Sequence, residues 1–217
     1  ASTGLGVDVS SREHTTYDLL LNSADLNEIV TKTDIDGVEI SPATQDLSSA
    51  DLDLATEDNR MSLLRTALRR PEMMARCYDW LLIDCPPSLS LLTLNAMVAS
   101  DSVLVPLQSE FFALEGLSQL MLTIREVRQS ANPSLRIEGI VLTMFDGRNN
   151  LSQMVEQDAR EALGDLVFNT IVPRAVRISE APSYSMSVLQ YDPASKGSVA
   201  YRALAQEVVE RRQRTAA

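Results

Sequence analysis

Trp80-Leu81-Leu82-Ile83 is an apolar run that ends on one acid, Asp84, and Cys85-Pro86-Pro87-Ser88 follows at once. Four consecutive apolar residues suit a strand covered on both faces in a parallel sheet, and the paired prolines stop the ladder from continuing. The carboxylate is therefore expected at the carboxyl tip of a buried strand, where α/β proteins bind ligands. An acid there can hold the Mg²⁺ of a bound nucleotide, usually through water, because Mg²⁺ gives up its hydration shell reluctantly. It can equally cap the following helix, a common place for Asp. The chain has no G-x-x-x-x-G-K-[ST] loop, and neither of its two lysines, Lys32 and Lys196, follows a glycine-rich turn.

Other reactive side chains are sparse. His14 is the only histidine, with no Cys or second His beside it, so a loop residue is expected and not a ligand or base. Glu110 and Glu115 read as helix-start acids that favour the macrodipole. Cys77 and Cys85 flank one strand, a spacing that suits neither a disulfide framework nor a zinc site, and both are expected reduced. The net charge of −11 excludes a broad polyanion-binding surface, but the acidity is uneven. Residues 1–145 hold 10 Lys/Arg against 21 Asp/Glu, whereas residues 146–217 hold 9 of each. Contacts to a polyanion are thus expected in the last third, through local arginines.

The elements that must position these residues follow from the hydrophobic pattern. Residues 15–31 suit two short helices broken around Asn22-Ser23-Ala24-Asp25, and 38–40 a short strand ended by Ser41-Pro42. Residues 46–75 are helical in character. From there the pattern predicts a strand at 79–84, a helix at 89–99, a strand at 101–107 and a helix at 110–130. A strand at 137–145, a helix at 150–163, a strand at 167–172 and a helix at 197–213 complete it. Such alternation indicates βαβ units, a parallel sheet with helices on both faces in an α/β, three-layer fold. The chain is long enough for one domain with a sizeable core. No run of about 18 apolar residues and no charged-then-apolar leader is present, so a cytoplasmic location is expected. Arg211, Arg212 and Arg214 lie in a segment that alternates acids and bases, which argues against a membrane anchor.

Three strings begin at the ends of expected strands: IDCPPSLSLLTLNAMVASDSVLVPLQSEFFALEGLSQL, GIVLTMFDGRNNL and VPRAVRISEAPSY. With them the chain resembles the ParA/Soj family of partition ATPases, relatives of MinD with a deviant Walker A motif. The resemblance covers nearly the whole chain, and Ser2-Thr3-Gly4-Leu5-Gly6 resembles the segment after the family's D-x-D-P-Q-G-N stretch. It implies a P-loop NTPase-like fold, with residues 1–217 a single ParA-type domain, N-terminally truncated. The missing piece would be the first βαβ unit with its K-G-G-x-G-K-[ST] loop, roughly 40 residues. Loss of central strands would uncover strand edges and apolar helix faces.

Carried over by residue, the resemblance makes Asp84 the Walker B acid and Mg²⁺ ligand through water, with Cys85 to Ser88, Pro86 included, as the following switch segment. Thr143 and Met144 take the base side, and Pro173 with its loop closes over the adenine. Most relatives carry Asn where this chain has Ala175, so only its backbone is available to the nucleotide. Arg148 and Arg177, joined by Lys196, match the positions that bind DNA without sequence preference. The resemblance implies an ATP hydrolase that uses ATP and Mg²⁺ to dimerise, binds nucleoid DNA, answers to a ParB-like activator and segregates a chromosome or plasmid. It implies no membrane partner. Without the P-loop, these 217 residues alone are expected to neither bind ATP tightly nor hydrolyse it. A positioning ATPase for a non-DNA cargo, a MinD-like membrane cycler and a non-enzymatic scaffold share the same motifs.

Overall fold

The computed structural model describes residues 1–21, 23–57 and 59–216. It divides into two compact units, residues 1–101 with 126–135, and residues 102–125 with 136–217.

The first unit is mostly short helices. α1 (Thr16–Leu21) and α2 (Leu26–Ile29) are separated as expected, although Asn22 lies outside the described residues. Thr15 precedes α1, and the Asp18 carboxylate accepts from its backbone N–H at 2.8 Å. The short strand expected at 38–40 is β2 (Glu39–Ile40), and it pairs antiparallel with a two-residue strand not foreseen from the sequence, β1 (Thr31–Lys32). The helical stretch expected at 46–75 is broken into α3 (Ala50–Asp53), α4 (Leu63–Leu68) and α5 (Pro71–Met74), with 3₁₀ turns at 45–49 and 54–56. Pro71 starts a new helix because it cannot continue one. α6 (Leu91–Ala99) follows, and the buried Asn132 amide donates to the Met97 and Ser100 carbonyls at 2.9 and 2.7 Å, closing that helix end. Leu19, Leu20, Ile29, Leu54 and Leu64 form the core, with Ile83 packed against it.

The sequence expectation fails at 79–84. No strand among the described residues pairs with this segment, and Leu82 is 87% exposed, with Trp80 and Leu81 also exposed. Ile83 alone reaches the core. An extended run becomes a buried strand only when neighbours take up its N–H and C=O groups on both edges, and none of the described strands does so.

The second unit carries the parallel pairing. β3 (Ser102–Gln108) runs parallel to β4 (Arg136–Thr143), and α7 (Ala113–Ser130) connects them, its last turn belonging to the first unit. α8 (Asn150–Leu163), α9 (Val176–Glu180), α10 (Val188–Tyr191) and α11 (Lys196–Ala216) complete the chain. The strand expected at 167–172 is irregular. It touches β4 through the bridge Ile140–Val167, and a second bridge joins Phe145 to Pro173 just beyond both segments. The Phe168 and Val172 N–H groups nevertheless donate to the Ile140 and Leu142 carbonyls at 2.8 and 2.9 Å.

β4 is buried on both faces. Ile140 and Leu142 pack with Leu117 and Ala159 on one side, whereas Val141 packs with Phe168, Val172 and Leu204 on the other. Alternate residues on one strand thus meet α7 and α8 on one face and α11 on the opposite face, which makes three layers.

At Gly139 the β3–β4 register shifts and φ is +155°. An added Cβ would stand 2.5 Å from Phe168 Cε2 and 2.9 Å from the Leu166 carbonyl oxygen, and the backbone oxygen cannot rotate away. Gly139→Ala is expected to destabilise the protein by about 3 kcal/mol, from overpacking and backbone strain together. The urea unfolding midpoint measures this, and an unchanged midpoint would refute it.

Glu207 fastens α11 to the loop beyond Phe168. Its carboxylate accepts from the Asn169 and Thr170 N–H groups, each at 2.8 Å, and from Arg211 at 2.9 Å. Burial pushes its pKa up, but these hydrogen bonds outweigh burial and hold it below the usual range. A carboxylate with a depressed folded pKa adds stability above its unfolded value, and that stability is lost as pH falls through the folded value. Glu207→Gln is therefore expected to cost about 2 kcal/mol at neutral pH and almost nothing in acid. Unfolding midpoints of both proteins measured from neutral to acidic pH check this, and a gap that persists in acid would count against it.

Candidate functional site

Asp84 lies in the first unit, after the extended run. Its side chain is 72% exposed and pairs with the Ala1 amino group at 3.0 Å. Pro86 is exposed in the turn-rich loop that leads to α6. Ser90, preceding α6, has a hydroxyl that is buried without a hydrogen-bond partner. Cys77 and Cys85 are free. Desolvation around the Cys85 sulfur, then the neighbouring Asp84 charge, raises that pKa and keeps it a thiol.

In the second unit, strand ends converge on a cavity of about 550 Å³ lined by Ser109, Glu110, Phe111, Phe112, Met144, Asn149 and Arg174 among others. Thr143 ends β4, and its hydroxyl donates to the Leu107 carbonyl at 3.3 Å. Met144 then takes φ +54°, a conformation that turns the chain sharply off the sheet and leaves the side chain 38% exposed beside the cavity. Pro173 sits across from Phe145, and the Arg174 N–H donates to the Phe145 carbonyl at 2.9 Å. Ala175 is the residue before α9, and the Ile178 N–H donates to its carbonyl. Thr143, Met144 and Pro173 are therefore brought together around one strand tip. Glu110 does not start a helix as expected. It precedes α7, paired with Arg174 at 3.3 Å, while Glu115 does lie in the first turn.

The cavity mixes apolar rings with a few polar groups, the make-up of small-molecule sites. The phosphate end finds no equivalent: no G-x-x-x-x-G-K-[ST] loop occurs in the 217 residues. Among the described residues no group of three His, Cys, Asp or Glu could hold a metal ion. Asp84 can contribute to Mg²⁺ only as a single carboxylate acting through water.

The expected cations are differently placed. Arg148 lies in the turn after β4, its side chain 92% exposed, and bonds both Asp146 oxygens at 3.1 Å. That bond holds Asp146 below the usual carboxylate range. Arg177 pairs with Glu180 at 3.0 Å and Asp192 at 3.4 Å and lies 5.8 Å from the centre of the Tyr191 ring. Lys196 opens α11, exposed and with no ion-pair partner among the described residues. A cation at the positive end of a helix dipole gains nothing from its own helix and is available to an anion.

Gly197 lets α11, which opens on Lys196, approach α9, which carries Arg177. A Cβ at Gly197 would stand 2.6 Å from Ile178 Cγ1. Ser198, fully buried, donates to the Val188 and Asp192 carbonyls at 2.8 and 2.6 Å and so fixes α10 against the same helix start. Sequence reading did not single out Gly197, Tyr191 or the carboxylates that hold the arginines. The Arg177-x-x-Glu180 spacing was a usable signal for one of them. Farther along, Arg211 stacks over Phe168 at 4.1 Å and bonds the Asp165 and Val167 carbonyls, so it is part of the fold. No described helix is long and apolar enough to cross a membrane.

A model of the AAA domain matches residues 1–137. The chain is 50% identical over 210 residues to the chromosome partitioning protein ParA of Caulobacter vibrioides, a match that spans 97% of this chain and 78% of that protein. To the sporulation initiation inhibitor protein Soj of Bacillus subtilis it is 44% identical over 208 residues, 96% of this chain and 81% of that one. Among solved structures it is similar to cobyrinic acid a,c-diamide synthase from Mycobacterium smegmatis with bound ATP analog and magnesium. That likeness has a TM-score of 0.79 and 32% identity over 94% of this chain and 75% of the other.

Proposed function

The chain belongs to the ParA/Soj family of partition ATPases, and from that premise we propose that its second unit binds DNA backbone through Arg177 and Lys196, with Arg148 as an outlying contact. The observation that supports this reading is the close approach at Gly197, which packs the helix that carries Lys196 against the helix that carries Arg177, in the part of the chain without net charge. Phosphates draw affinity from such cations without reading sequence. In the intact reaction ATP and Mg²⁺ would supply the switch for dimerisation. The base would rest by Thr143, Met144, Pro173 and the Ala175 backbone, and Asp84 would orient Mg²⁺ through water. A ParB-like partner would act on that dimer to release DNA, and the protein would work on the nucleoid.

Both arginines are held by carboxylates, so a phosphate must compete with Glu180 and Asp192 for Arg177. Neutralising that pair with Glu180→Gln and Asp192→Asn is expected to raise duplex affinity about fivefold at low salt. Fluorescence anisotropy of a labelled duplex measures it. If the variant and the parent chain both leave duplex DNA unbound at low salt, the DNA reading fails and a non-DNA cargo is the better one.

A further inference from the structure

Beside Arg177 the second unit holds an aromatic pair that phosphate binding leaves unexplained. Tyr184 and Tyr191 stack with ring centres 5.0 Å apart and planes inclined by 22°. Tyr184 closes the 3₁₀ turn 181–184, and its side chain remains 63% exposed. Tyr191 is the common support. Its hydroxyl donates to Glu180 at 3.4 Å, and its ring carries Arg177 at 5.8 Å.

The backbone that presents Tyr184 is fixed and strained. Ser185 takes φ +55°, a left-handed conformation unfavourable for a residue with a Cβ, and the Met186 N–H donates to the Ala181 carbonyl at 3.2 Å across the turn. A large exposed ring beside a cation is the arrangement that single-stranded nucleic acid uses: cations track the phosphates and rings stack the bases. An intact duplex cannot use Tyr184, because its bases are already stacked on one another.

Resting on the DNA reading above, we infer that Tyr184 is a stacking site for an unpaired nucleobase whose neighbouring phosphates reach Arg177 and Lys196. This surface then prefers single-stranded or locally opened DNA over closed duplex. Nothing about the base edges is read, since either face of any base can stack on a phenol ring.

The test compares a labelled single strand, the duplex of the same sequence, and a single strand of equal length carrying abasic sites, at one low salt concentration. The unaltered 217-residue chain is expected to bind the single strand about tenfold more tightly than the abasic strand. Tyr184→Ala is expected to lose that advantage while duplex affinity stays within about twofold, and Tyr184→Phe to keep it, since the ring and not the hydroxyl stacks. Equal binding of the normal and abasic strands by the unaltered chain overturns the inference without any variant. So does an equal loss on single strand and duplex in Tyr184→Ala, which marks the ring as packing for Tyr191. The DNA reading stands in both cases as long as Arg177→Ala weakens duplex binding. If Arg177→Ala changes neither strand's affinity, both fall.

Discussion

Removing Arg177 and Lys196 together is expected to lower the duplex affinity of the chain by about a hundredfold at low salt, about tenfold for each cation. The two changes test different things. Arg177 is already satisfied by Glu180 and Asp192, so its guanidinium must exchange partners, whereas Lys196 has no ion pair among the described residues to give up. Lys196→Ala alone is thus expected to leave the thermal midpoint within a degree or so, because an exposed lysine at a helix start contributes little to folding. Arg177→Ala also removes contacts to Tyr191 and Asp192 and is expected to lower that midpoint modestly. The salt dependence separates DNA contact from misfolding. For each lost phosphate contact, the slope of log affinity against log salt should shrink by about 0.9. Parallel lines for parent and double variant would show that neither cation touches phosphate. Gly197→Ala supplies a control in which both cations remain but α11 is pushed off Ile178.

The second large effect is an absence of binding. Titrating MgATP into the 217-residue chain is expected to give no heat attributable to a micromolar site. Phosphoryl-transfer proteins hold the triphosphate by backbone N–H groups and a lysine, and they stabilise its charge chiefly by position. The chain provides a base-sized cavity at Met144 and a single exposed carboxylate at Asp84, but no G-x-x-x-x-G-K-[ST] loop. A base alone, without its phosphates held, carries little of a nucleotide's affinity. The same experiment has an independent reading in stability. Ligand at a thousandfold excess over its Kd adds about 4 kcal/mol, several degrees in a domain of this size, whereas a shift below about one degree is expected here. A micromolar Kd, or a shift of several degrees with MgATP and none with Mg²⁺ alone, would mean that these residues hold phosphates in a way the motifs do not describe.

The α/β alternation and the family were legible from the chain itself. Ile140, Val141 and Leu142 form an unbroken apolar run, which is what a strand covered on both faces requires, and they are buried in two separate clusters. The strings around Asp84, Thr143 and Pro173 carried the family because each joins a strand end to a loop of fixed composition. Illegible were the features that depend on a neighbour. The run at 80–83 has the same apolar character as 140–142, yet Leu82 faces outward, since a strand pattern states what an edge can pair with and not whether a partner is there. The helical stretch at 46–75 broke for a related reason: short helices take their stability from tertiary packing, so periodicity alone could not say where one ended.

Sequence by itself thus determined the alternation of strands and helices from 102 to 163, the family, and the types of residue that gather at strand ends, because these follow from local periodicity and short-range spacing. Tertiary structure alone decided which helices pack against one another. Arg177 and Lys196 lie 19 positions apart, on helices that pack closely because the glycine at 197 lacks the Cβ that would strike Ile178. It also decided that Arg177 is shared among Glu180, Asp192 and Tyr191, and that Tyr184 is left exposed where its turn ends at Ser185. Close approach and charge sharing depend on distances of a few ångströms between separate elements, which no one-dimensional spacing encodes.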